Sequence, residues 1–288
     1  MTLSSRGAGR RGSMGDPAAT AGSPSDPPAM IRVRCHENTV EAYRVFARTT
    51  PGSVVEERNG LVLIDAMASD SMGNVAMVTS RVADGEAVLG EAEFFFQRDR
   101  RPWILFAFPE AVSALEGPAR NHGYKDEGRF PGLYLGPIPG RIPSPPAGVE
   151  VRRVDSLPEL QLFERTASEA YEVDSGPVYL PWLQYPGLSF HLAYFQGKPV
   201  ATATLVASHG LAGIVYVGTV PAARGRGFGR AAVWSAIEAG VEEGCRASAL
   251  WASPMGRPMY EQMGFRPVTE YRIWSPPHSP LPRAFWPR

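Results

Sequence analysis

The sequence predicts an α/β fold with mixed sheets carrying helices on their faces, arranged as two domains. Three observations lead there. The chain has 288 residues, enough for two cores of about 100 to 150 residues each. Short apolar runs rich in β-branched residues alternate with amphipathic helical stretches through both halves. Between the halves, GPIPGRIPSPPAG (136–148) holds five prolines and three glycines, which break helices and withhold ladder donors. The expected division is a leader over 1–29, a first domain over 30–137, a linker over 138–148 and a second domain over 149–288.

Composition narrows the function classes. Hydrophobic residues are 44% and charged residues 20% of the chain, ordinary values for a soluble globular protein, and no apolar run approaches the roughly 20 residues of a membrane helix. The 29 basic residues are balanced by 29 acidic ones, so there is no net field to gather nucleic acid. Neither membrane nor nucleic acid is an expected partner, and any anion site must be local. Cys35 and Cys245 stand far apart, with no second Cys or His at metal-ligand spacing, and read as reduced structural thiols in a cytoplasmic protein without a metal. Residues 1–29 hold few large apolar side chains and no hydrophobic segment of a secretory signal, and read as disordered.

In the first half a strand-like stretch begins at Ile31. TVEAYRVFART is then helical, SVVEERNGLVLIDA is a strand pair turning at Asn59-Gly60, GNVAMVTSRV is a strand, and GEAVLGEAEFFFQRD is a helix. PWILFAF is a strand and PEAVSALEGPARNHGY a helix closed by Gly123. In the second half VEVRRV is a strand, and SLPELQLFERTASEAY is a helix with Ser156 as N-cap. SFHLAYF, PVATATLVAS and GLAGIVYVGTV are three strands. A helix follows whose inward face carries Val233, Ile237 and Val241 and whose C-cap is Gly244. CRASALW is a strand, Ser253 and Pro254 open a short helix with Met255, Met259 and Met263 on one face, and FRPVTEYRIW supplies the last strands.

The loop before the longer helix, VPAARGRGFGR, is the candidate site. No Ser, Thr, Asp or Asn stands between Pro221 and Arg230 to cap that helix, so an anion could serve as the cap. Gly225, Gly227 and Gly229 clear side chains from the backbone, and Arg224, Arg226 and Arg230 offer charge-assisted contacts, a combination suited to a pyrophosphate. The Gly-Lys-Ser/Thr ending of a mononucleotide loop is missing, and so is the glycine spacing of a dinucleotide fingerprint.

VGTVPAARGRGFGRAAV resembles the acyl-CoA-binding motif of the GNAT acetyltransferases, with Arg224, Gly227 and Gly229 at its signature positions. LWASPMGRPMYEQMGFRPV resembles the next GNAT motif, a strand and a short helix bearing a Tyr and ending in Gly-Phe. The resemblance covers about 149–275, and the similar order of elements in 31–137 suggests a tandem of two GNAT-like domains. It implies that the backbone of Val217, Thr219 and Val220 pairs with the pantetheine arm of acetyl-CoA and that the segment from Arg224 through Phe228 to Arg230 holds the pyrophosphate. Ser253 would lie beside this co-substrate, and Tyr260 would protonate the departing thiolate. In the first half the corresponding loop carries Asp84 and Glu86 and has neither arginine nor Gly-x-Gly, so that half is expected to be degenerate and structural.

The family's strand glutamate is missing, and the base is left open among Glu169, Glu172, Asp174, His191, His209, a water chain and a backbone carbonyl. Tyr171, Tyr179, Trp182 and Tyr185 are candidates for an acceptor wall, or for simple packing. The expected activity is transfer of an acetyl group from acetyl-CoA to a primary amine, chiefly of a small molecule, with a protein amine also admitted. The alternative is a non-catalytic CoA-binding regulatory or scaffold module. The oligomeric state is open, a homodimer included.

Overall fold

The computed structural model describes residues 26–286 except 59, 99 and 175. Most of the expected leader, residues 1–25, and Asn59 of the expected turn lie outside the described residues. The described chain opens with α1 (Pro28–Thr49). The strand expected from Ile31 is therefore helix: proline in its first turn presets φ, and Cys35, Asn38, Ala42, Val45 and Thr49 recur at helical spacing on the buried side.

The first half continues with β1 (Val54–Arg58), β2 (Leu61–Asp65), β3 (Asn74–Val78), α2 (Gly85–Gln97), β4 (Ile104–Ala107), α3 (Val112–Asn121) and β5 (Lys125–Leu135). The second comprises β6 (Val149–Arg153), α4 (Leu157–Tyr171), α5 (Leu180–Gln184), β7 (Leu188–Phe195), β8 (Lys198–Ser208), β9 (Leu211–Thr219), α6 (Phe228–Glu242), β10 (Ala247–Trp251), α7 (Arg257–Gln262) and β11 (Arg266–Ser275).

The strands form one 11-stranded mixed sheet in the order β1-β2-β3-β4-β11-β5-β10-β9-β8-β7-β6. Only β3·β4 and β9·β10 are parallel among its described pairs. The order contains a reciprocal exchange. In each half a strand, a helix and a closing strand follow one another, as β4-α3-β5 and β10-α7-β11. Each closing strand is inserted beside the other half's: β11 pairs with β4, β5 pairs with β10, and β5 and β11 run antiparallel between them from Arg266↔Tyr134 to Ser275↔Lys125. The ladder at this seam is close, since a Cβ on Gly132 would stand 2.3 Å from the Thr269 methyl. The halves are thus joined through their backbones as well as by the chain.

Helix α1 ties the seam from one face. Its Val40 and Ala47 join the core of Ile64, Met77 and Phe106, while Ala42 and Val45 join that of Phe163 and Phe190. The Asn38 amide donates to Val206 O at 3.2 Å and Ser208 Oγ at 2.7 Å. A Cβ on Gly213 would come within 2.2 Å of the Asn38 oxygen, so the glycine permits this approach of α1 to β9. On the opposite face, α6 and α7 bury Phe228, Val233, Ile237, Tyr260 and Met263.

Three local expectations need correction. Val233 and Ile237 are fully buried but Val241 is 47% exposed. Steps of four residues drift by about 40° each on a helix of 3.6 residues per turn, and the inward position passes to Gly240, where a Cβ would meet Ala212 at 2.5 Å. Helix α7 begins at Arg257, not Pro254; Ser253 Oγ accepts from Gly256 N–H at 3.2 Å in the preceding turn, and Met255 is exposed. Ser156 holds the N-cap position without capping: its hydroxyl donates to Glu159, whose carboxylate accepts from Asp155 N–H. Burial raises the Cys35 thiol to about 12 and the Cys245 thiol to about 11, leaving both protonated and unreactive.

Candidate active site

The site begins with a gap in the sheet. Strands β9 and β10 pair only at Leu211↔Ala247, Ala212↔Ser248 and Gly213↔Ala249. Farther along, Leu250 and Trp251 keep only their pairing with β5 on the other edge of β10, and β9 from Ile214 to Thr219 has no β10 partner among the described residues. A bulge lies within the unpaired stretch: between Thr202 and Thr204 of β8, β9 carries one extra residue. Tyr216 takes a left-handed φ of 55° there, and Thr202 Oγ1 locks the bend by donating to Tyr216 O (3.1 Å) and accepting from Gly218 N–H (3.1 Å).

The open edge of β9 leads to the Arg/Gly loop. Gly225 and Gly227 have φ of 76° and 81°, and the space beside the Gly225 Cα is open. Gly227 is the N-cap of α6 and no side chain caps the helix. Gly229 has a packing role: a Cβ there would lie 2.7 Å from Thr219 Oγ1. The loop thus presents N–H groups with no side-chain cap at a positive helix end, next to a strand edge that has no strand partner but whose Val217 O and Thr219 O already accept from Tyr171 and Arg224.

The three arginines separate in role. Arg224 turns inward, donating to Thr219 O (3.2 Å) and Ala170 O (2.8 Å), so it braces the loop against β9 and α4. Arg226 lies over Phe195 at 4.4 Å and Phe228 at 4.8 Å. The Arg230 guanidinium stands beside Gly227, 3.3 Å from where its Cβ would be. The cradle accordingly has two outward guanidiniums and a third that acts as a strut.

Val217 and Val220 are placed with Tyr260 in one core. Tyr260 projects from α7 and is buried, its ring edge-on to Phe265 at 5.9 Å. Burial pushes its phenol above the usual range, so it keeps its proton. On the other face of the gap, the Tyr171 hydroxyl donates to Val217 O at 2.8 Å. Ser253 lies in the turn between β10 and α7.

Beyond Tyr171 a cavity of about 520 Å³ is lined by Ser69, Asp70, Glu172, Val173 and Asp174. It brings Glu172 and Asp174 together with a loop of the first half. Asp70 accepts from Met72 N–H at 2.7 Å, and burial raises its carboxyl despite that bond. Glu164, inside α4, is also raised by burial, although Gly176 N–H, the Tyr216 hydroxyl and Ser168 donate to it. The sequence does not mark Glu164 or Tyr216 within their amphipathic elements, and Asp70 reaches the site only through the tertiary fold.

The remaining candidates lie elsewhere. Glu169 is exposed on α4. His191 is buried between Ser189 and Ser235, 3.0 Å from each hydroxyl, and burial lowers it to about 4, so it is a neutral core residue. His209 stands in the β8–β9 turn, at the far end of β9 from the bulge, where its carbonyl accepts from Arg34. Trp182 donates to Thr50 Oγ1 at 3.0 Å and stacks on Phe190, Tyr179 packs against Trp182, and Tyr185 accepts from Arg48. Those three aromatics fasten α5 to α1, leaving Tyr171 alone of the four at the gap.

In the first half, β3 and β4 stay paired from Val75↔Ile104 to Val78↔Ala107, and Phe108 N–H then takes Val78 O at 2.9 Å. Asp84 caps α2, accepting from Ala87 N–H at 3.0 Å. A Cβ on Gly85 would stand 2.0 Å from Ala114 O. At this corner, among the described residues, β3 keeps its strand partner to the end and the start of α2 is capped.

Residues 157–265 match the model of the acetyltransferase (GNAT) family. This segment is a GNAT domain. Solved structures extend the likeness in fold over most of the chain. A GCN5-related N-acetyltransferase from Kribbella flavida is similar with a TM-score of 0.65 and 22% identity, covering 85% of this chain and 96% of that one. One from Sphaerobacter thermophilus gives 0.57 and 19%, covering 88% and 93%. A tandem GNAT protein from the clavulanic acid biosynthesis pathway gives 0.50 and 14%, covering 88% and 96%. No curated protein sequence matches significantly. Among the described residues, no helix is long and apolar enough to cross a membrane, and no group of three or more His, Cys, Asp or Glu could hold a metal ion.

Proposed function

We propose that the chain transfers an acetyl group from acetyl-CoA to a primary amine of a small molecule, through the GNAT domain alone. The observation that carries the reading is the continuity of the β9 edge that has no β10 partner around Tyr216, the start of α6 with no side-chain cap and the buried, protonated Tyr260. The free edge offers backbone groups to the amides of a pantetheine arm, as an added strand would. The N–H groups at the start of α6, with Arg226 and Arg230, suit the pyrophosphate.

The amine nitrogen attacks the thioester carbonyl, a new N–C bond forms and the C–S bond breaks. The Tyr260 phenol gives its proton to the departing sulfur. The amine proton passes to a carboxylate of the cavity; Asp70, with its raised pKa, is the best matched to it. The same ring of carboxylates favours a cationic acceptor.

The test is release of free CoA from acetyl-CoA with a panel of small amines. Turnover that depends on the amine and falls in Tyr260→Phe is expected. Acetyl-CoA binding without release by any amine would instead establish the non-catalytic CoA-binding module.

A further inference from the structure

After β11 the chain turns back across the sheet, and residues 276–286 form a strap. Its anchors come from both halves: Ser279 Oγ accepts from Trp103 N–H at 3.2 Å, Ser71 Oγ donates to Pro280 O at 2.9 Å, and Met255 N–H donates to Phe285 O at 3.4 Å. Leu281 is buried along the way. The strap ends in a single 3-10 turn, Arg283–Phe285, and the Phe285 ring is only 7% exposed.

That ring bridges the two lips of the β9–β10 gap. It stacks on Tyr171 at 5.9 Å and 24°, and on Trp251 at 6.0 Å and 22°. Tyr171 is fixed to the β9 lip by its hydrogen bond to Val217 O, and Trp251 is the last residue of β10. The opposite face of the gap is closed by the core of Leu250, Ala252 and Tyr260. A chain carried on a thioester in the gap and lengthening away from that core, between Tyr171 and Trp251, meets Phe285.

We propose that Phe285 is a specificity-determining residue that sets the length of the acyl group. The inference rests on the reading of the gap as the thioester site. An acetyl methyl ends beneath the stacked rings. Each further methylene must displace a ring held on two sides and already removed from water, whereas a smaller side chain at 285 would open a channel between Tyr171 and Trp251. No residue of the CoA cradle takes part, so affinity for unacylated CoA is an internal reference.

Titration calorimetry of the full-length protein with CoA, acetyl-CoA, butyryl-CoA and octanoyl-CoA tests this, using wild type, Phe285→Ala and Phe285→Leu. Wild type is expected to bind octanoyl-CoA at least ~30-fold more weakly than acetyl-CoA, within the range for groups that misfit a packed pocket. Phe285→Ala should shrink that ratio to about threefold or less with CoA affinity unchanged, and Phe285→Leu should fall between. The same chain-length profile in wild type and Phe285→Ala, or a flat profile in wild type, would overturn the proposal. Failure of wild type to bind CoA at all would overturn the underlying reading of the gap instead. Should Phe285→Ala not fold, the Phe285→Leu profile decides.

Discussion

The two halves of this molecule begin a helix after a parallel strand in the same way, and reach opposite ends. In the second half, β9 leaves its neighbour after three pairs and α6 starts at Gly227 with no side-chain cap. In the first, β3 holds its neighbour to the end and α2 starts at a self-capping Asp84. On the proposed reading, the contrast teaches that a CoA site in this fold needs two openings together, a strand edge without a strand partner and a helix end without a side-chain cap. The first half fills both with its own atoms, Phe108 N–H on the strand and the Asp84 carboxylate on the helix. It keeps its sheet, lends β5 to the other half and contributes Asp70 to the cavity.

The sharpest way to break the comparison is Gly229→Glu. Its side chain would strike Thr219 and bring a carboxylate to the start of α6. Loss of two charge-assisted hydrogen bonds alone amounts to roughly 100-fold in affinity, so acetyl-CoA should no longer raise the melting temperature. An unchanged shift would detach the cradle from α6. Next comes Tyr260→Phe, expected to lower kcat by about 10²–10⁴-fold while leaving acetyl-CoA affinity nearly unaltered. A parallel loss of affinity would mean that the phenol is a packing residue.

Acid provides a smaller test, directed at the support beneath α6. His191, which joins β7 to α6, is lowered to about 4 by burial. A depressed folded-state pKa contributes stability above the unfolded value near 6.5 and loses it as pH falls toward the folded one. Denaturation in urea should therefore show about 2 to 3 kcal/mol less stability at pH 4.5 than at pH 7 from this residue, and His191→Asn should reduce that loss. The smallest effect is expected at the other helix start: Asp84→Ala should cost about 1 kcal/mol as a lost N-cap and create no second CoA site, because Phe108 still closes the strand edge.

What could be read from the sequence was what the chain decides locally. The absence of a capping side chain between Pro221 and Arg230, the glycines, and Asp84 at the matching place all act within a few residues of one helix start. The strands and most helices followed from periodicity for the same reason. The exchange of β5 and β11 was not legible, because each strand's partners lie more than a hundred residues away and its pattern is that of any half-buried strand. Arg224 looked like its two neighbours until the fold brought Thr219 O and Ala170 O to it. Phe285, in a proline-rich tail with no periodicity, becomes meaningful only once Tyr171 and Trp251 are placed on either side of it.

The most direct test of the contrast between the halves is the stoichiometry of CoA binding, measured by calorimetry on wild type, Gly229→Glu and Asp84→Ala. One CoA per chain is predicted for wild type and Asp84→Ala, with none for Gly229→Glu. Two per chain in wild type, or binding that survives in Gly229→Glu, would contradict the assignment of the site to β9 and α6.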